Sequence, residues 1–373
     1  QIEIGDNERH RHPNGRQAES LPCHPDTLRD ALRRVSQQAW LSVQRVGVRA
    51  LYQGGLVRGR TYAIDGTGLG NDYRLVCLVC VSSQRPKIVA WRLLEGQASE
   101  KGKEATVTRD LVGQILQLGG SNAIELLLMD ALYADGPLLA WLKYQHGIDS
   151  LVPIPGNREL HQDLMGLARG GMLQFHRHSY LRTVQGHKCR RTIELAIQDG
   201  LTSWDSFMEA ACGYQAENPH LWGCLVHDLD TSDPKSQWWT LVSTRAWASG
   251  DAAFQGYRPR WHIENDAYRE LKEGWHLESQ RWGRDSATQQ GRITLLCLAV
   301  NTAQAYLSSL GERSAIRGIR RLRQQYSSEL GMAPAVIYID HNYAVLPVEQ
   351  LLAVLGHSPH RSLLPFQIRP QPP

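Results

Sequence analysis

Three acids in this chain have the residue type and setting of ligands for a hard cation. Asp65 closes the run Thr61-Tyr-Ala-Ile-Asp65, and Asp130 closes Glu125-Leu-Leu-Leu-Met-Asp130. Glu264 lies in Tyr257-Arg-Pro-Arg-Trp-His-Ile-Glu-Asn-Asp-Ala-Tyr-Arg-Glu-Leu-Lys272, among basic and aromatic residues. Hydrolysis or exchange of a phosphodiester needs charge neutralised at the phosphate and an oxygen nucleophile activated. Two divalent ions about 3.5–4 Å apart supply both. Magnesium, or manganese in its place, takes carboxylate and water oxygens. Asp65, Asp130 and Glu264 are therefore the candidate catalytic residues and metal ligands, with two Mg2+ or Mn2+ ions and no organic cofactor. The chemistry implied is cleavage of DNA.

Each acid also has a plainer reading. An Asp just after an apolar strand often caps a turn, and Asp65 and Asp130 both qualify. Asp135 precedes Gly136-Pro137 at a predicted helix start, where an N-cap is its natural role. Arg260 and Glu264 have the i,i+4 spacing of an exposed ion pair. Against that, Trp261, Ile263 and Leu271 indicate a packed helix. On an ideal helix Arg260, Glu264 and Tyr268 fall within an arc of about 80°. Pro259 suits a first helical turn, which leaves Tyr257 just outside.

The elements that must position these residues read as follows. Helices are expected at Asp26–Val35 and around Gln38–Leu51, and strands at Thr61–Asp65, Arg74–Val81 and Lys87–Leu94. Gly66, Gly68 and Gly70 are taken as turn residues, because no helix pattern follows them as a dinucleotide site requires. A helix over Lys103–Leu118, the strand 125–130, a helix opening at Asp135 and a strand Ser150–Ile154 come next. The block 156–256 breaks this alternation. It reads as a hairpin, His178 to Ile197, turning at Gly186, then strands Leu221–Leu229 and Trp238–Thr244. Helices resume at Pro259 and over Gly291–Leu310.

Three antiparallel strands followed by alternating helix and strand is the order of a ribonuclease H-like α/β fold, a mixed sheet flanked by helices. Here a β-rich insertion interrupts it. The expected divisions are an N-terminal polar arm and helices (1–58), the first part of the core (59–155), the insertion (156–256), the C-terminal part of the core (257–310), and a basic helix with a tail (311–373). The tail beyond Leu364 ends in prolines and is expected to be loose. The chain begins at Gln1, so a segment upstream is also expected.

With 373 residues and 42% hydrophobic content, the chain can bury a large core. At 21% charged it is neither disordered nor fibrous. A net charge of +4 is too small to identify a partner by itself. Arg313, Arg317, Arg320 and Arg321, at helical spacing, would form a basic face able to meet phosphates, or else a solvated one. No apolar run approaches the ~18 residues of a membrane span, and Ile293–Val300 reads as buried helix. Seven scattered cysteines fit a reducing compartment. Cys77 and Cys80 lie within a strand pattern and lack a second ligand pair for zinc.

The segment Tyr257–Lys272, with its two strand-borne Asp residues, resembles the DDE transposases of bacterial insertion sequences. Specifically, it resembles the cut-and-paste group with a Tyr-x2-Arg-x3-Glu-x6-Lys signature. Tyr257, Arg260 and Glu264 fit that spacing, whereas position 271 is Leu and Lys272 stands one residue late. On an ideal helix that turns the lysine by about 100°; a helix bulge or its long stem would restore its reach. The resemblance covers roughly residues 60–310. It implies cleavage at element ends and transfer of the freed 3′-hydroxyl into target DNA, on Asp65, Asp130 and Glu264. Tyr257, Arg260 and Lys272 would contact DNA, with a homodimer pairing the ends in the bacterial cytoplasm at the nucleoid. It also implies an aromatic residue that holds a displaced base, with Trp222, Trp238, Trp239 and Trp247 as candidates. A catalytically inactive DNA-binding derivative and a stand-alone metal-dependent nuclease are the alternatives.

Overall fold

The computed structural model describes residues 25–309, apart from 71, 84, 97–102, 185–186, 234–236 and 279–284, together with strands at 334–339, 342–347 and 367–370. The basic face expected at Arg313–Arg321, the N-terminal arm and the Gly186 turn lie outside the described residues.

Nine strands form one mixed sheet in the order β3-β2-β1-β4-β5-β9-β8-β7-β6. Strands β1 (Thr61–Leu69), β2 (Tyr73–Cys80) and β3 (Lys87–Glu95) form an antiparallel meander. β4 (Leu126–Leu128) and β5 (Asp149–Ile154) then lie parallel to β1. Parallel neighbours need a crossover. The helix Glu104–Gly119 supplies the one between β3 and β4, with Val107, Leu111, Val112 and Ile115 buried. The second runs through a helix at Gly136–Ala140, whose N-cap Asp135 accepts from the Leu138 N–H at 2.7 Å. This order is the ribonuclease H-like core expected from the sequence.

Residues 156–256 extend the sheet. β9 (Trp238–Ser243) pairs antiparallel with β5, followed outward by β8 (Leu221–Asp228), β7 (His187–Leu201) and β6 (His176–Val184). Three helices that the strand-centred reading passed over lie in this block, at Glu159–Arg169, Asp205–Gly213 and Gly250–Tyr257. The last packs on the new strands, with Phe254 5.2 Å from the Tyr180 ring and Gly250 tight against Leu195. It delivers the chain back to the core at Tyr257.

The helix Ser286–Ser309 meets the helix Gln37–Gln53 closely, where a Cβ on Gly291 would stand 2.6 Å from the Trp40 ring. Its Asn301 side chain donates to the Ile88 carbonyl at 2.6 Å and accepts from the Ile88 N–H at 2.8 Å. That pair satisfies the edge strand β3 at its bulge. Ile293 and Val300 are buried on this helix, as their apolar run predicts.

Two expectations are corrected. Gly66 and Gly68 are strand residues, because β1 runs on to Leu69, and only Gly70, at φ 61°, makes the turn. The Arg74 side chain lies over Gly66, where a Cβ would stand 2.5 Å from its Nε and the guanidinium would have to shift. The C-terminal segment expected to be loose contributes a strand at Gln367–Pro370, paired with Asn342–Pro347, which also pairs Pro334–Ile339.

Candidate active site

The parallel register places the two aspartates abreast. Ala63 on β1 pairs with Leu128 on β4, and Asp65 and Asp130 each lie two residues further along. Adjacent strands are about 4.8 Å apart, so carboxylates 65 residues apart in sequence become neighbours. The Gly66 N–H donates to Asp65 Oδ1 at 2.7 Å, and the Ala131 N–H donates to Asp130 Oδ1 at 2.7 Å. Asp130 thus caps the turn at Ala131–Tyr133, as its plainer reading has it. Asp65 lies inside β1 instead and caps no turn, and its second oxygen, Oδ2, faces Arg260.

The third acid arrives on a segment that is helical but not a regular α-helix. A 3-10 turn at Arg258–Arg260 leads into π-helical turns at Ile263–Tyr268 and Glu270–Gly274. Tyr257 anchors its start by donating from its hydroxyl to the Met129 carbonyl at 3.0 Å, next to Asp130. Arg260 lies over the Tyr257 ring at 5.6 Å. Its guanidinium then bridges two of the acids, with Nη1 3.4 Å from Asp65 Oδ2 and Nη2 2.7 Å from Glu264 Oε1. The ideal-helix strip of Arg260 and Glu264 therefore survives, although the helix type differs.

Lys272 lines the same cleft as Asp65 and Glu264, with Gly66, Thr67, Tyr268 and Glu278, around a volume of about 670 Å³. Leu271, at the position of the signature lysine, is fully buried. A π turn accommodates one more residue than an α turn. The extra residue before Lys272 is absorbed there, and the lysine faces the cleft. Its ammonium lies 2.8 Å from Glu278 Oε1.

Crowded carboxylates under low exposure raise one another's proton affinity. Burial chiefly raises the Asp65 carboxyl from its ordinary 3.8 to about 6. Asp130 and Glu264 add to the rise, against the pull of the Gly66 N–H and Arg260. Tyr268 completes the site and had no place in the sequence-based site. Its buried hydroxyl donates to the Asp65 carbonyl and accepts from the Cys77 N–H at 3.2 Å. Arg74, which covers Gly66, pairs with the buried Glu104 at 3.2 Å. The usable signals for these residues were the Gly after Asp65 and the shared helical strip of Glu264 and Tyr268.

Among the described residues no three His, Cys, Asp or Glu side chains converge as metal ligands. The reason near Asp65 is visible, because Arg260 stands between Asp65 and Glu264. The donor set nevertheless fits a hard divalent cation in kind: three carboxylates, whose oxygens are the ligands such an ion takes. Trp222, Trp238, Trp239 and Trp247 are not among the residues lining the cleft. Trp238 stacks on His227 at 3.8 Å, and Arg245 covers Trp247 at 5.3 Å. Cys77 and Cys80 are buried in β2 as free thiols.

Asp65, expected to close its strand, lies in the middle of β1, and Asp130 lies two residues past the end of β4. A ribonuclease H-like sheet with acids placed abreast in this way is the framework of proteins that act on polynucleotides. Residues 74–302 match the family model of the transposase DDE domain, more than half of the 373-residue chain. The chain belongs to that family. Its general function is transposase-type DNA cleavage and transposition, and its relatives generally use divalent metals. The matched span contains Asp130 and Glu264 and begins beyond Asp65. No curated protein matches the chain. Among the described residues no helix is long and apolar enough to cross a membrane.

Proposed function

We propose that this chain is an insertion-sequence transposase, cutting DNA at the ends of its element and joining the freed 3′-hydroxyl to target DNA. Asp65, Asp130 and Glu264 are the catalytic carboxylates and would hold two Mg2+ or Mn2+ ions. Bound there, the ions would neutralise the phosphate and activate the attacking oxygen. The observation that carries this reading is the convergence of Asp65 and Glu264 on one guanidinium, with Asp130 abreast of Asp65.

The protein's own groups have defined tasks. Tyr257 holds the Glu264 segment to the strand end that carries Asp130. Arg260 compensates the acids before substrate arrives, and its planar fork suits a phosphate. Lys272 supplies a point charge at the cleft wall for the DNA backbone. Pairing of two element ends calls for a homodimer working on the bacterial nucleoid.

The test uses the purified chain, Mg2+ and supercoiled plasmid carrying the element's own ends. Cleaved ends joined to a target support the full reading. Cleavage without joining reduces it to a nuclease, and binding alone to an inactive derivative. Asp130→Asn retaining full cleavage would sink the carboxylate assignment.

A further inference from the structure

We propose that Tyr268 is a positioning residue, whose hydroxyl fixes the placement of Glu264 relative to Asp65. This rests on both acids being metal ligands. Asp65 and Cys77 face each other in the β1–β2 register, and the phenol oxygen stands at that point. It accepts from the Cys77 N–H at 3.2 Å and donates to the Asp65 carbonyl at 2.5 Å. Tyr268 also belongs to the π-helical turn that carries Glu264. One rigid ring therefore connects the backbone beneath the first acid to the backbone of the third, 199 positions further along the chain.

Apolar packing alone would not serve. Ile263, Ala267 and Leu271 bury the same segment against the core, but such contacts are non-directional and tolerate sliding. Hydrogen bonds at a strand backbone are directional and select one seating. Sub-ångström seating matters at a site where carboxylates must share cations, and outer partners of metal ligands typically change affinity or activity about 10–100-fold. The neighbouring phenol Tyr133 offers a contrast within the same core. It is fully buried, but its hydroxyl has no hydrogen-bond partner among the described residues.

Tyr268→Phe in the full chain tests the role, with Tyr62→Phe as its control. Tyr62 lies on β1, three residues before Asp65, and is also buried, with its hydroxyl 2.9 Å from that of Tyr52 and not among the groups lining the cleft. Three readouts are taken: hydrogen exchange at the Cys77 amide, Mn2+ affinity by calorimetry, and the split of kcat and KM on cleavable DNA. Tyr268→Phe is expected to speed Cys77 exchange, weaken Mn2+ binding about 10–100-fold and lower kcat by a similar factor, with KM unchanged. Tyr62→Phe is expected to lower Tm and leave all three alone. Wild-type Mn2+ affinity in Tyr268→Phe, or equal losses in both variants, overturns the positioning role. A wild-type chain that binds no Mn2+ overturns the ligand assignment itself, and the role with it.

Discussion

Arg260 Nη1 lies 3.4 Å from Asp65 Oδ2, joining residues 195 positions apart in sequence. The Arg260 side chain is only 8% exposed and that of Asp65 12%, so neither charge is matched by solvent. A second arm of the same guanidinium holds Glu264, whose side chain is 49% exposed. Arg260 thus places a cation where the carboxylates from β1 and the π segment meet. If Asp65 and Glu264 ligate metal as proposed, the ions and Arg260 would compete for the same oxygens, and a phosphate would be the natural new partner for a displaced guanidinium.

Removal of that cation has a defined consequence. Arg260→Ala leaves Asp65 buried without its counter-charge, which costs about 3 kcal/mol, the low end for a broken buried pair because Glu264 is half in solvent. Divalent ions should offset much of this loss. Thermal melts with and without Mg2+ are expected to show a larger Mg2+ response in Arg260→Ala than in wild type. Equal responses would mean that the guanidinium and the ion occupy unrelated places.

The raised Asp65 carboxyl makes stability and activity move oppositely with pH. Its folded pKa, about 6, exceeds its ordinary 3.8. Between those values the folded state holds a proton that the unfolded chain has lost, so stability falls as pH rises from 4 to 6 and then levels. At 1.36 kcal/mol per pH unit the span is worth about 3 kcal/mol. Metal ligation needs the carboxylate, so cleavage should instead rise through pH 6, with a midpoint that moves down as Mg2+ increases. Denaturant titrations of wild type and Asp65→Asn over this range are the check. If the slope in wild type persists in Asp65→Asn, another group is responsible.

The sequence carried the order of the core and the three acids because both rest on local pattern. Apolar runs stop at Asp65 and Asp130, although β1 itself continues to Leu69, and a turn signal at Asp135-Gly-Pro marks a cap that the structure contains. What stayed hidden depends on long-range pairing. β9 joins β5 directly, so the inserted strands belong to the core sheet, and no local feature of Trp238–Ser243 announces that partner. The helix at Gly250–Tyr257 is only eight residues long and gave little periodicity. The π turns were invisible for a similar reason, since they follow from burying Leu271 while Glu264 and Lys272 share a cleft. Tyr268 was on the right strip, but its partners are backbone groups about 200 residues away.

The neighbouring aspartates Asp130 and Asp135 should separate chemistry from capping. Asp130→Asn keeps a side-chain acceptor for the Ala131 N–H and should retain the Tm, yet lose DNA cleavage by orders of magnitude. Asp135→Ala removes the bond to the Leu138 N–H and should cost about 1 kcal/mol of stability, with cleavage per folded molecule unchanged. Matched cleavage assays and melts distinguish the two. Loss of cleavage in Asp135→Ala at full folding would place the site differently.

Lys272 provides the sharpest test of the register argument, because Leu271 is adjacent and points the other way. Lys272→Ala removes a partly exposed charge whose pair with Glu278 is worth at most about 1 kcal/mol, so the Tm should barely move. Binding of DNA should weaken, and the slope of log affinity against log salt should fall by about 1, the signature of one lost phosphate contact. Leu271→Ala empties a buried site and is expected to cost about 2–5 kcal/mol with the salt slope intact. The two variants thus move different observables, one electrostatic and one thermal. An unchanged salt slope in Lys272→Ala would mean that the lysine lines the cleft without meeting DNA, and that its contact with Glu278 is its whole role.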